Sequence, residues 1–90
     1  MFIIISYDIS EDKRRTKIHK TLKDFGTWIQ YSVFECELKE KEYLQLRNRL
    51  NKAIDKSEDN IRFYFLCAKC EDKIEKIGDQ TSPGQDSVII

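Results

Sequence analysis

Phe2-Ile3-Ile4-Ile5-Ser6-Tyr7-Asp8-Ile9-Ser10 is an apolar strand that stops at a carboxylate where a basic helix begins. A β-branched run suits a buried, pleated strand, because stiff side chains pack well against their neighbours there. Alternation sets Phe2 and Ile4 opposite Ile3, Ile5 and Ile9, so both faces are apolar and both need a cover. An aspartate at the end of such a strand must be hydrated, paired or holding a cation, since an unpaired buried charge is too costly. Asp8 is therefore the residue to explain.

Downstream, Ser10 is expected to cap a first helix over about residues 11 to 25. Glu11 and Asp12 suit its positive end, and Ile18, Leu22 and Phe25 repeat at helical spacing before Gly26. Arg15, His19 and Lys23 form a stripe away from the apolar face, and Arg14 is placed to reach the neighbourhood of Asp8. Residues 27 to 38 are rich in aromatic and β-branched types and too long for one strand, so they are drawn as two strands broken at Gln30-Tyr31-Ser32. Tyr43, Leu46, Leu50, Ala53 and Ile54 predict a second helix over 39 to 54, followed by a loop, Asp55 to Asn60. Ile61 to Cys67 reads as a strand with Ile61, Phe63, Phe65 and Cys67 on one face, and Tyr64 and Leu66 on the other. A short strand is expected near Lys73 to Ile77, a turn at Ser82-Pro83-Gly84, and an edge strand at Val88-Ile89-Ile90.

This order predicts an α+β protein of ferredoxin-like βαββαβ type with an added C-terminal edge strand. Residues 1–78 form the domain and 79–90 its terminal segment. Two helices cover one face of such a sheet, so sheet-to-sheet packing of two protomers is expected to cover the other, giving a homodimer.

Ninety residues allow one domain, and 40% apolar with 36% charged residues describe a soluble globular chain with no membrane span. The apolar start lacks a basic leader and a cleavage site, so it is not read as a signal peptide. Three cysteines, with Cys67 and Cys70 close together, fit a reducing compartment and a cytoplasmic location better than a disulfide framework. Sixteen basic residues balance sixteen acidic ones, so net charge does not advertise nucleic-acid binding. The cations are nonetheless concentrated on the first helix, where Lys13, Arg14, Arg15, Lys17, His19, Lys20 and Lys23 fall within eleven residues.

Tyr7-Asp8-Ile9, the Arg14-Arg15 pair, Leu22 to Gly26 and above all Gln30-Tyr31-Ser32-Val33-Phe34-Glu35 resemble the signature of CRISPR-associated protein two. This is the small protein of the CRISPR spacer-acquisition machinery, and the resemblance spans nearly the whole chain. It implies a ferredoxin-like homodimer that binds double-stranded DNA, the prespacer, while bridging dimers of the CRISPR integrase. It also implies a Mg²⁺-dependent endonuclease acting on single-stranded RNA or duplex DNA, with Asp8 of each protomer sharing the metal across the two-fold axis. Tyr7 and Asp8 become the catalytic candidates, and Arg14, Ser32 and Phe34 the further positions of interest. Trp28 departs from members with nuclease activity that carry an arginine before the Ile-Gln pair, so the cation that would stabilise a phosphate there is missing.

Each candidate has a structural alternative. Asp8 could cap or pair with the first helix, for instance through Arg14. One carboxylate is a poor Mg²⁺ site, so the metal reading needs the second protomer. Arg14, Arg15, Lys17, His19, Lys20 and Lys23 could position phosphates or form a solvated helix face, and Tyr7 and Phe34 could pack the dimer. Cys67-x-x-Cys70 supplies half of a zinc site, so free thiols are the preferred reading. Phe63, Tyr64 and Phe65 are attributed to packing, not to an RNA-stacking platform. Two other functions stay open: a catalytically inactive DNA-binding adaptor, and a ligand-sensing or RNA-binding module on the same fold.

Overall fold

The computed structural model describes residues 1–78. Strand β1 (Phe2–Asp8) leads into helix α1 (Asp12–Lys23), the hairpin β2 (Thr27–Gln30) and β3 (Val33–Glu37), helix α2 (Glu40–Ala53), strand β4 (Asn60–Leu66) and a one-turn helix α3 (Ala68–Glu71). The sheet order is β2-β3-β1-β4, and neighbouring strands are antiparallel. This is the expected split βαβ arrangement, with β1 at the centre.

The faces follow from alternation. Ile3, Ile5 and Tyr7 of β1 and Phe34 and Cys36 of β3 are buried, and they cluster with Ile18 and Leu22 of α1 and Leu46 and Leu50 of α2. The register places Phe2, Ile4, Ser6 and Asp8 beside Leu66, Tyr64, Arg62 and Asn60 on the opposite face, where Phe2, Ile4 and Leu66 are half-buried and Tyr64 is exposed. No helix of the core cluster lies on that face.

Local chemistry explains the boundaries. The Glu11 carboxylate accepts from the Arg14 N–H, so Glu11 caps α1 and not Ser10 as the sequence predicted. The Ser10 N–H and hydroxyl are instead turned to Asp59. Helix α1 ends where the Gly26 N–H returns to the Leu22 carbonyl at 2.9 Å. A side chain at Gly26 would collide with the Cys36 sulfur and the Glu35 carbonyl, so this glycine permits close approach to β3. The predicted break between β2 and β3 is present. Tyr31 adopts φ of +43° there, the pairing shifts between Trp28 and Gln30, and the indole N–H of Trp28 donates to the Tyr31 carbonyl at 2.9 Å.

The strand expected at Lys73 to Ile77 does not form. The Lys73 and Ile74 N–H groups bond back to the Cys70 and Glu71 carbonyls, which uses them in a turn leaving α3. Ile74 and Ile77 are spaced by three, which is not a strand period. The Ser82-Pro83-Gly84 turn and the Val88-Ile89-Ile90 strand lie outside the described residues.

Candidate nucleic-acid and metal site

Asp8 ends β1 on the face that the helices leave open. Its register partner is Asn60, it is exposed, and its carboxylate forms no hydrogen bond or ion pair with the described residues. The alternative of Asp8 as a cap or a partner of Arg14 is thereby set aside. A hydrated carboxylate of this kind retains its lone pairs for a metal or a donor.

Tyr7 faces the other way. Its ring is 6% exposed, and its hydroxyl shares a hydrogen bond of 3.1 Å with His19 Nδ1. Burial pushes the phenol above its ordinary value, while the Ser32 side chain, hydrogen bonded to it, and the Arg15 charge oppose that shift. Alternation in β1 thus separates the two catalytic candidates onto opposite faces of the sheet.

His19 is not on a solvated stripe. Its ring stands edge-on to Trp28 at 4.9 Å and to Phe34 at 5.2 Å, and burial, aided by Lys23, lowers its pKa. A neutral imidazole in this pocket is a packing element and a poor phosphate ligand. Phe34 is fully buried, so it packs the core instead of presenting a ring to nucleic acid. Trp28, 8% exposed, fills the same region. Ser32 is half-buried in the turn beneath Tyr7.

Arg14 is committed elsewhere as well. Its Nε donates to Asp59 Oδ2 at 2.8 Å and its Nη2 to Oδ1 at 3.3 Å. Asp59 also accepts from the N–H groups of Ser10 at 3.2 Å and Asp55 at 2.9 Å. These donors outweigh desolvation and hold the Asp59 carboxyl far below the usual range, the Arg14 hydrogen bond being the largest cause. Arg15 donates to the Ile9 carbonyl at 2.9 Å and pairs with Asp12. The Arg14-Arg15 pair therefore braces the β1–α1 junction. Sequence reasoning missed Asp59, which in the sequence is only one of three acidic residues in a polar loop.

The α1 cations left without an ion pair among the described residues lie between the two long helices. Lys13, Lys17, Lys20 and Lys23 of α1 and Arg49 of α2 line an open groove of about 670 Å³. The four lysines have no ion-pair partner among the described residues, while Arg49 donates to Asp24 at 3.4 Å. Of the predicted contacts, Lys17, Lys20 and Lys23 lie here; the spacing of Lys13, Lys17 and Lys20 gives one helix face. The groove is on the helix side, away from Asp8.

Among the described residues no three His, Cys, Asp or Glu side chains form a metal-holding group. Asp8 alone offers one carboxylate, which fits Mg²⁺ only as half of a site. Cys36 is buried in the core while Cys67 and Cys70 are exposed, so the three thiols do not converge. No helix of the described residues is long and apolar enough to cross a membrane.

A family model for CRISPR associated protein Cas2 matches residues 1–74. The chain belongs to the Cas2 family. The CRISPR-associated endoribonuclease Cas2 1 of Chloroflexus aurantiacus is 50% identical to it over 93 aligned residues, covering 100% of both chains. The Cas2 crystal structure from Streptococcus pyogenes at pH 6.5 superposes with a TM-score of 0.75 at 32% identity, covering 87% of this chain and all of the other. A chain in a partial Cas6-RT-Cas1–Cas2 complex matches with a TM-score of 0.73 at 32% identity, over 84% of this chain and 83% of that one. These Cas2 relatives agree with the resemblance carried by the Gln30 to Glu35 string.

Proposed function

We propose that this Cas2 acts in CRISPR spacer acquisition as a homodimer that holds duplex DNA beside the Cas1 integrase and cleaves phosphodiesters at a Mg²⁺ site shared by two copies of Asp8. The observation that carries this reading is the exposed Asp8 carboxylate at the end of an inner strand, without a partner among the described residues and on the sheet face that no described helix of the core cluster covers. Phe2, Ile4, Tyr64 and Leu66 make that face suitable for a second copy, and an isologous pairing would present one Asp8 from each protomer. The Cas1-containing complex of a structural neighbour supports an integrase partner, and the endoribonuclease name of a relative supports phosphodiester hydrolysis.

Two Asp8 carboxylates, with water and phosphate oxygens, meet the demand of Mg²⁺ for six oxygen ligands. When bound, the metal would neutralise charge on the phosphodiester and activate water. The protein's own part is to hold Asp8 at the end of a strand whose other face is locked in the core. The Lys13, Lys17, Lys20 and Lys23 groove would contact phosphates without reading sequence, which makes duplex binding fall with salt.

The separation of that groove from Asp8, together with Trp28 in the core, favours a second reading in which the protein is a DNA-holding adaptor without cleavage. Asp8→Ala separates the two. Mg²⁺-dependent cleavage of labelled single-stranded RNA and duplex DNA should drop at least about a hundredfold if Asp8 binds the metal, with dimer mass and duplex affinity unchanged. Absence of cleavage by both proteins, with binding retained, would leave the adaptor.

A further inference from the structure

Cys67 and Cys70 stand outside the surfaces assigned above, and the fold brings them together. Cys67 follows the last residue of β4 and caps α3 with extended backbone angles, φ −73° and ψ 166°. The chain then turns so that the Glu71 N–H reaches the Cys67 carbonyl at 2.9 Å. Cys70 is the third residue of this turn, and its thiol is hydrogen bonded to that of Cys67. Residues three apart on a helical turn have Cβ atoms about 5–6 Å apart, and a disulfide needs about 3.5–4.5 Å, so a small adjustment of one exposed turn would close the bond.

The two sulfurs differ in character. Hydrogen bonds from the backbone, from Cys70 first, and from the Cys70 thiol favour the Cys67 thiolate, whereas Cys70 is pushed up by serving as its donor and by the neighbouring charge. This is the asymmetry of an attacking thiol and a resolving thiol. Cys36 contrasts with both, since burial pushes it up to about 11 and leaves it inert.

We propose that Cys67 and Cys70 form a reversible dithiol–disulfide site that reacts with low-molecular-weight disulfides. The Cys67 thiolate attacks one sulfur of the small disulfide, breaking its S–S bond and expelling one thiolate. Cys70 then loses its proton to solvent and attacks the Cys67 sulfur, forming the intramolecular bond and expelling the second thiolate. The protein dithiol is oxidised by two electrons, and the small disulfide is reduced to two thiols. The new bond staples the turn by which the chain leaves the edge strand β4, against which α3 packs.

The test equilibrates the full-length, reduced protein with mixtures of reduced and oxidised glutathione. The reaction is quenched in acid, free thiols are alkylated under denaturing conditions, and intact masses are read. The expected oxidised species lacks two hydrogens and takes one alkyl group instead of three, mapped to Cys36. Cys70→Ser should trap a glutathione adduct on Cys67, while Cys67→Ser should form an adduct at least about tenfold more slowly. Cys36→Ser should oxidise as the wild type does, which shows that the reaction does not depend on the core thiol. Three free thiols throughout the oxidising range, or disulfides only between chains, would overturn the proposal. Equal adduct rates in the Cys67→Ser and Cys70→Ser proteins would do so as well.

Discussion

Asp8 and Asp59 lie at the same end of the sheet, Asp8 closing β1 and Asp59 just preceding the Asn60 with which Asp8 is paired. The Asp59 side chain is fully buried, and it accepts hydrogen bonds from Arg14, Ser10 and Asp55. Asp8 is exposed and accepts none from the described residues. A buried carboxylate is tolerated only when its oxygens are satisfied, and once satisfied it has nothing to offer a ligand. An exposed one at a strand end retains that capacity. Asp59 ties the α1 entry to the loop before β4, and Asp8 uses the rigid frame that results.

This contrast can be broken by thermal denaturation of three variants. Asp59→Ala should have the largest effect, lowering the melting midpoint on the order of 10 °C, because it strands the Arg14 guanidinium and leaves two backbone N–H groups without their acceptor. Arg14→Lys should cost on the order of half as much, since an ammonium keeps the charge but loses the two-pronged contact. Asp8→Ala should move the midpoint by less than about 2 °C, as surface positions do, and under the proposed shared-metal function it should also remove Mg²⁺-dependent cleavage. An Asp8→Ala protein that melts as low as Asp59→Ala would show that Asp8 is structural and would sink the contrast.

Acid titration sharpens the same comparison. The folded-state pKa of Asp59 is depressed below the unfolded value of about 3.9. Its stabilisation is therefore complete above that value and is lost as the pH falls below about 4 toward the folded pKa. Asp55, lowered chiefly by its hydrogen bonds with Ser57, acts in the same direction. Urea midpoints measured between about pH 2 and 5 should fall less steeply in Asp59→Asn than in the wild type. His19, lowered by burial, adds a shallower loss as the pH drops through its unfolded value of about 6.5, and both proteins should retain it.

The smallest effect concerns the α1–α2 groove. Each of Lys17→Ala and Lys20→Ala should reduce the slope of log duplex affinity against log salt by about one. Arg15→Ala, whose guanidinium is held by Ile9 and Asp12, should leave that slope nearly unchanged.

Much of this architecture was readable residue by residue. Alternation from Phe2 to Asp8 and the helical spacing of Ile18 and Leu22, and of Leu46 and Leu50, reported their faces correctly because burial repeats with the local backbone period. The Gln30-Tyr31-Ser32 break was also visible, since a polar interruption of an apolar run marks a turn. Charge was misleading on α1. His19, Arg14 and Arg15 carry the right chemistry for phosphate, but the first packs on Trp28 and Phe34 and the other two are taken up by Asp59, Ile9 and Asp12.

By itself, then, the sequence determined the order of the four sheet strands and the two long helices, the position of Asp8 at a strand end and the family signature, because each depends on neighbours close along the chain. Tertiary structure alone decided which cations remain free, since Arg14 and Asp59 are 45 residues apart and meet only when the loop before β4 folds against α1. It also decided which face is covered, by closing the Tyr7 side with two helices while no helix of the core cluster covers the Asp8 side among the described residues. Local periodicity states that two faces exist; packing determines which of them is covered.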